Sequence, residues 1–232
     1  MHESLSRAQA LMLKVIARVY TDFPEKFGVP RQSGLADTKG MIVFESEYGK
    51  PEALKGIEGF SHLWVLWGFS EVPEGKWSPT VRPPRLGGNK REGVFATRSP
   101  FRPNPVGLSC VKLEGIEKRP EGLALSVSGV DMTNESPVYD IKPYLPYVDS
   151  HPEADEGFTG GVKAYRLAVA FPEKWYNRVP KEHREVLKEI LSQDPRPSYQ
   201  EDSQRVYGMT YAGMQIRFFV KDGVLTVCEV IL

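Results

Sequence analysis

Cysteine and histidine are scarce, and neither is spaced for metal or redox work. The two cysteines, Cys110 and Cys228, stand in no CxxC pair and are too few for a disulfide framework. Both read as small buried hydrophobes. The four histidines, His2, His62, His151 and His183, show no HxH or HxxxH spacing, so no metal is expected. Also missing are a GxxxxGK[ST] phosphate loop, a GxGxxG behind a strand and a GxSxG elbow. These absences argue against P-loop nucleotide chemistry, a Rossmann-bound cofactor and serine hydrolysis. Long apolar runs are lacking too: Arg7, Lys14 and Arg18 interrupt the first twenty residues. With neither a signal-peptide core nor a membrane span there, a soluble cytoplasmic protein is expected. Charge of one sign is absent overall, since 30 basic side chains meet 30 acidic ones. Any attraction for an anionic partner must therefore come from placement rather than from net charge.

What is present favours strands. The 21 glycines and 19 prolines suit a turn-rich chain, all-β or α+β, better than a helical bundle. A short helical turn is predicted over Leu5 to Met12, and period-2 alternation predicts strands at Lys14 to Tyr20 and Leu123 to Val130. Apolar runs add strands at Met41 to Phe44, Val106 to Leu113, Val138 to Ile141 and Ala164 to Phe171. Phe60 to Phe69, apolar at nearly every position, reads as a central strand buried on both faces. Toward the end of the chain, Pro180 opens a helix that Asp194-Pro195 and Arg196-Pro197 stop. Met214 to Val220 and Val224 to Ile231 then flank Asp222-Gly223, the signal for a tight hairpin. The expected fold is mainly β, residues 1–162, followed by a small strand, helix and hairpin unit, residues 163–232.

Chemistry concentrates between Val72 and Asn104. Arg82, Arg85, Lys90, Arg91, Arg98 and Arg102 face one acid, Glu92, a local charge of +5. Pro83, Pro84, Pro100, Pro103 and Pro105 stiffen this segment, so it can present planar guanidinium forks to an anion or a purine with little ordering cost. It can equally be a solvated basic loop. Ser99 and Asn104 add donors and acceptors, while Phe95 and Phe101 read as core plugs. Pro30-Arg31-Gln32 pairs a second fork with an amide. Asp140, Lys142 and Tyr144 gather acid, base and phenol at a strand end, where an ion pair with a structural role is as good a reading as catalysis.

Six segments occur in a recognisable order: Pro30-Arg31-Gln32, Gly59 to Trp64, Arg82 to Asn89, Phe95 to Ser109, Asp140 to Pro146 and Asp194 to Pro197. From about Val15 to the C-terminus the chain resembles the TrmO (TsaA-domain, YaeB-like) tRNA methyltransferases. That resemblance implies a TsaA-like, non-Rossmann β-barrel enzyme that uses S-adenosylmethionine to methylate the exocyclic N6 of threonylcarbamoyladenosine beside the anticodon of threonine tRNA. It also implies a homodimer. By the same resemblance the cofactor contacts are Pro30, Arg31, Gln32, Arg98 and Leu108, with Ser70 and Glu71 at the end of the HLW strand. Glu135, Ser136, Pro137 and Val138 complete the set at the turn before Asp140. Relatives commonly carry Asp-Gly-Thr where this chain has Asn134-Glu135-Ser136, a departure that bears on the geometry of that turn. Amine methylation calls for a proton acceptor, for which Asp140, Asp194 and Tyr199 are candidates. Arg82, Arg85, Lys90, Arg102, Asn104, Lys142, Tyr144 and Arg196 are the candidates for tRNA contact, and Trp77, Tyr144 or Tyr199 can stack on an extruded base. A non-catalytic tRNA- or anion-binding module of the same fold is the alternative.

Overall fold

Alternating apolar positions produce six strands that close into a barrel: β1 (Ala17–Thr21), β2 (Lys39–Phe44), β3 (His62–Gly68), β6 (Val106–Arg119), β7 (Gly122–Ser128) and β8 (Ser136–Pro143). Two short strands, β4 (Thr80–Val81) and β5 (Glu92–Gly93), pair with each other inside the connection between β3 and β6. The barrel order is β1-β2-β7-β6-β3-β8 and every neighbouring pair is antiparallel. This computed structural model describes residues 12–73, 75–86, 90–161, 165–197 and 202–232, the side chain of Arg85 excepted. The turn expected from Leu5 and the candidate Tyr199 lie outside the described residues.

Inward positions hold Val19, Ile42, Leu63, Val65, Val111 and Leu125, all fully buried. The expectation that Phe60 to Phe69 is buried on both faces needs correction. In β3 only Leu63, Val65 and Trp67 point inward, with His62, Trp64 and Leu66 half-exposed on the outside. Closing a sheet on itself gives each strand one inner and one outer face. The outer aromatics are partly covered by Tyr144, whose ring lies 5.8 Å from Trp64 and 6.3 Å from His62. Asp149 ends the short helix α1 (Pro146–Asp149), accepting hydrogen bonds from Trp64 Nε1 at 3.0 Å and from the Leu145 N–H at 2.8 Å. Those two donors hold its carboxyl below the usual range.

A second sheet follows, ordered β10-β11-β12-β9: β9 (Ala168–Ala170), β10 (Tyr207–Tyr211), β11 (Met214–Lys221) and β12 (Val224–Ile231), with β9 parallel to β12. The strand expected over Ala164 to Phe171 is thus shorter. Asp222 and Gly223, at φ 49° and 77°, form the predicted hairpin turn. The short helix α2 (Glu173–Tyr176) precedes α3 (Arg184–Ser192), which buries Leu187, Ile190 and Leu191. None of the helices among the described residues is long and apolar enough to cross a membrane.

The connection from β1 to β2, residues 22–38, packs into this second core. Phe23 and Ala36 are buried there, and Phe27 stacks on Phe218 with centroids 6.5 Å apart. Gly28, at φ 99°, runs so close to Met209 that a Cβ would meet its Cε and Sδ atoms. One loop of the barrel is therefore built on the C-terminal unit.

Candidate active site

Antiparallel order puts three long connections at one end of the barrel: residues 22–38 between β1 and β2, 69–105 between β3 and β6, and 129–135 between β7 and β8. Pro30, Arg31, Gln32, Ser70, Glu71, Arg82, Lys90, Arg98, Arg102, Asn104 and Glu135 all lie on them. Lys142 and Tyr144 do not join them, because β8 runs from that end toward the other.

Between the loops β6 offers an open edge. Phe69 N donates to Pro105 O at 3.0 Å and Leu113 N to Ser61 O at 2.9 Å, so odd-numbered residues of β6 bond to β3. Even-numbered ones turn their N–H and C=O to the other side, where β7 pairs only from Lys112 onward. The Cys110 N–H on that side is taken by Ser33 Oγ at 3.2 Å. Leu108 presents its N–H and C=O to the same edge, which no strand covers among the described residues, and the residue is 55% exposed. Across the strands Leu108 faces Leu66, and Leu66 faces Asp140. That places Asp140 on the same outer strip, two strand spacings or about 10 Å away.

Arg98 donates Nη1 from its loop to Gln32 Oε1 at 2.5 Å, next to the Ser33 that takes the Cys110 N–H. Gln32 in turn donates Nε2 to the Arg31 carbonyl. Arg31 crosses to the C-terminal unit, with Nη2 donating to Asp194 O at 3.2 Å and to Arg196 O at 3.0 Å. Asp194 itself grips Arg196 through two contacts of 2.8 Å and accepts from Tyr165 OH at 3.1 Å. Burial pushes its carboxyl up, but Arg196 and Tyr165 outweigh that and hold it below the ordinary range.

Asp131 is a residue that sequence reasoning missed. It sits in the 129–135 loop and accepts from Ser109 Oγ at 2.6 Å, and Ser109 accepts from Trp67 Nε1 at 2.9 Å. Burial drives its carboxyl up to about 6, against the pull of Ser109, backbone N–H groups including that of Ser33, and nearby Arg98. No motif marks it: a single acid between Val130 and Met132 carries no spacing signal. Trp67 is held close to β6 at Gly107, where any Cβ would enter the indole ring.

The remaining candidates are more dispersed. Arg102 is half-buried and donates Nη1 to Val94 O at 3.1 Å and to Thr97 O at 2.6 Å, locking the loop that carries Arg98. Ser70, Glu71, Arg82 and Asn104 are exposed, and Lys90 pairs with Glu92 at 2.8 Å. Lys142 pairs with Asp140 at 2.8 Å. Ser136 and Val138 are buried at the start of β8, with Pro137 half-exposed between them. Phe95 and Phe101, expected in the core, are 76% and 43% exposed instead. Phe95 lies 5.8 Å from the Arg102 guanidinium and Phe101 lies 6.0 Å from Lys26 Nζ, so both rings sit beside cations on the surface of the loop.

Two family models match the chain: tRNA-methyltransferase O N-terminal domain over residues 18–150, and TrmO C-terminal domain over residues 164–231. The chain is 40% identical over 216 residues to an Escherichia coli (strain K12) protein named tRNA (adenine(37)-N6)-methyltransferase, covering 89% of this chain and 92% of that one. It is also 40% identical over 204 residues to a Pseudomonas aeruginosa protein named putative S-adenosylmethionine-dependent methyltransferase RcsF, covering 84% and 86%. The crystal structure of TrmO from P. aeruginosa superposes with a TM-score of 0.79 at 30% identity, over 97% of this chain and 99% of that chain.

Proposed function

Because the chain belongs to the tRNA-methyltransferase O family, we propose that it is an S-adenosylmethionine-dependent enzyme that methylates N6 of adenosine 37 in tRNA. The finer reading is that the adenosine carries a threonylcarbamoyl group and that the tRNA is the threonine acceptor. The observation that carries the proposal is the meeting of Arg98, Gln32, Asp131 and the open Leu108 edge at the loop-bearing end of the barrel.

This donor set suits the cofactor. Arg98 can hold a carboxylate, the Asp131 carboxylate complements an ammonium or sulfonium cation, and the Leu108 backbone pairs a donor with an acceptor, as an adenine edge requires. Bound S-adenosylmethionine supplies an electrophilic methyl group on sulfur. The chain's own contribution is alignment, with the loops locked through Gln32, Arg102 and the prolines so that the amine approaches in line. The amine's lone pair is delocalised into the purine, so a carboxylate that takes its proton as the bond forms lowers the barrier. Of the expected acceptors, Asp140 is the better placed. It shares the outer strip with Leu108 and its pairing with Lys142 is exposed to solvent, whereas Asp194 is enclosed in a buried pair with Arg196. Arg82 and the other cations of the 82–102 loop would neutralise anticodon-loop phosphates or the threonyl carboxylate. We read the chain as two units divided at 162/163 and as a homodimer.

The test is direct. Purified protein is incubated with labelled methyl donor and tRNA from cells able and unable to install threonylcarbamoyl groups. Label should enter only the former, in threonine tRNA, and equal labelling of both pools removes the finer reading.

A further inference from the structure

We propose that Arg196 and Asp194 of the C-terminal unit are positioning residues that set the affinity for S-adenosylmethionine by holding Arg31 and, through it, the Gln32–Arg98 pair. The proposal rests on the cofactor reading above.

A continuous line of hydrogen bonds joins the two units. The Arg31 side chain ends on the carbonyls of Asp194 and Arg196, the Arg31 carbonyl takes Gln32 Nε2, and Gln32 Oε1 takes Arg98 Nη1. Those two carbonyls are aimed by local geometry. Asp194 stands in the left-handed region at φ 53°, directly after the C-cap of α3, a conformation that aspartate adopts when its short side chain is hydrogen-bonded locally. Those local bonds are the two-pronged grip on Arg196, together with the Tyr165 hydroxyl.

Burial distinguishes this pair from the others. Its side chains are 14% and 13% exposed, the least exposed ion pair among the described residues. Taking two charges out of water offsets most of their attraction, so such a pair is weak evidence for stability and better evidence for fixed geometry. The loop it fixes is also tied down on either side of the predicted cofactor residues. Asp37 N donates to Glu189 Oε2 at 3.0 Å, Gln193 Nε2 donates to Leu35 O at 3.1 Å, and Phe23 and Ala36 are buried in the second core. Arg31 and Gln32 are therefore carried by the C-terminal unit and presented to the barrel.

A positioning role separates from the other roles these residues could have. If Asp194 took the substrate proton, its loss would lower kcat; if Arg196 gripped tRNA, its loss would raise the KM for tRNA. The proposal expects Arg196→Ala and Asp194→Asn to raise the Kd and KM for S-adenosylmethionine about tenfold, as loss of two charge-assisted hydrogen bonds implies. The kcat and the KM for tRNA should stay within about twofold. Arg196→Lys should recover part of the affinity, and Arg217→Ala, which breaks an exposed pair with Glu229, should change nothing. In an Arg31→Ala background, adding Arg196→Ala should cost less than about twofold more, because both act on one line. Circular dichroism and melting report folding of each variant; if Arg196→Ala does not fold, the isosteric Asp194→Asn carries the test. Additive effects, an unchanged cofactor KM, or a fall in kcat alone would overturn the proposal. A wild-type protein that binds no S-adenosylmethionine would instead overturn the cofactor reading beneath it.

Discussion

Asp131 shows at the scale of one residue how position alters chemistry. The residue is half-buried as a whole, and burial of its carboxyl at the barrel mouth lifts it to about 6, from an ordinary 3.8. The folded protein then binds a proton that the unfolded chain releases, so between roughly pH 4 and 6 the native state holds more protons and stability falls as pH rises. The loss amounts to on the order of 3 kcal/mol once the group is ionised. Asp131→Asn should remove it. Urea titrations at pH 4.5, 5.5 and 7 should show a variant whose advantage over wild type grows across that window. A constant difference at all three values would mean that the carboxyl is not forced upward. The ionised form is the one that complements a cationic ligand, so this cost at neutral pH fits a binding group better than a structural one.

Among the elements, the turn into β8 is the informative case. At the position where the family resemblance leads one to expect glycine, Glu135 occupies the left-handed region at φ 63°, its N–H donating to Val19 O at 2.7 Å and its carbonyl accepting from Arg18 Nη1 at 3.3 Å. The turn is kept and the residue is strained. Left-handed backbone costs an L residue about 1–2 kcal/mol, and glycine gives back about 0.5–1 kcal/mol as extra chain entropy. Glu135→Gly should therefore stabilise the fold slightly and raise the melting temperature by about 2–4 °C, whereas a lower melting point would show that the Glu135 side chain contributes more than its backbone costs. Strands such as β1 and β7 were legible because their period-2 pattern is local, as was the Asp222-Gly223 hairpin. The docking of residues 22–38 on the second core was not, since Phe23 and Phe27 look the same in sequence whichever core they join. Phe95 and Phe101 were misplaced for the same reason: aromatic character does not say which side of a loop a ring leaves from. Arg31, Gln32 and Arg98 were recognisable by motif, but their connection to Asp194 and Arg196 exists only in three dimensions.

For the whole molecule the question is how a chain with no net charge attracts an anionic partner. Thirty cations and thirty anions give no long-range pull as a sum, but barrel topology delivers the arginine-rich loop to the end where the other two long connections meet. Arg82, Lys90, Arg91 and Arg98 are exposed there, and Glu92 neutralises one of them through its contact with Lys90. The opposite end carries Lys118 and Arg119 on the β6–β7 hairpin, with Glu117 beside Arg119. If the loop-bearing end meets about four phosphates of a single-stranded anticodon loop, log K should fall with log salt at a slope of about −3, weakening binding roughly 60-fold between 50 and 200 mM. Arg82→Ala with Arg91→Ala should bring that slope closer to zero by one to two units, and Lys118→Ala with Arg119→Ala should leave it unchanged. Filter binding or fluorescence anisotropy across that salt range decides. A slope that responds to the hairpin pair and ignores the loop pair would put the RNA at the wrong end of the barrel, away from Arg98 and the Leu108 edge.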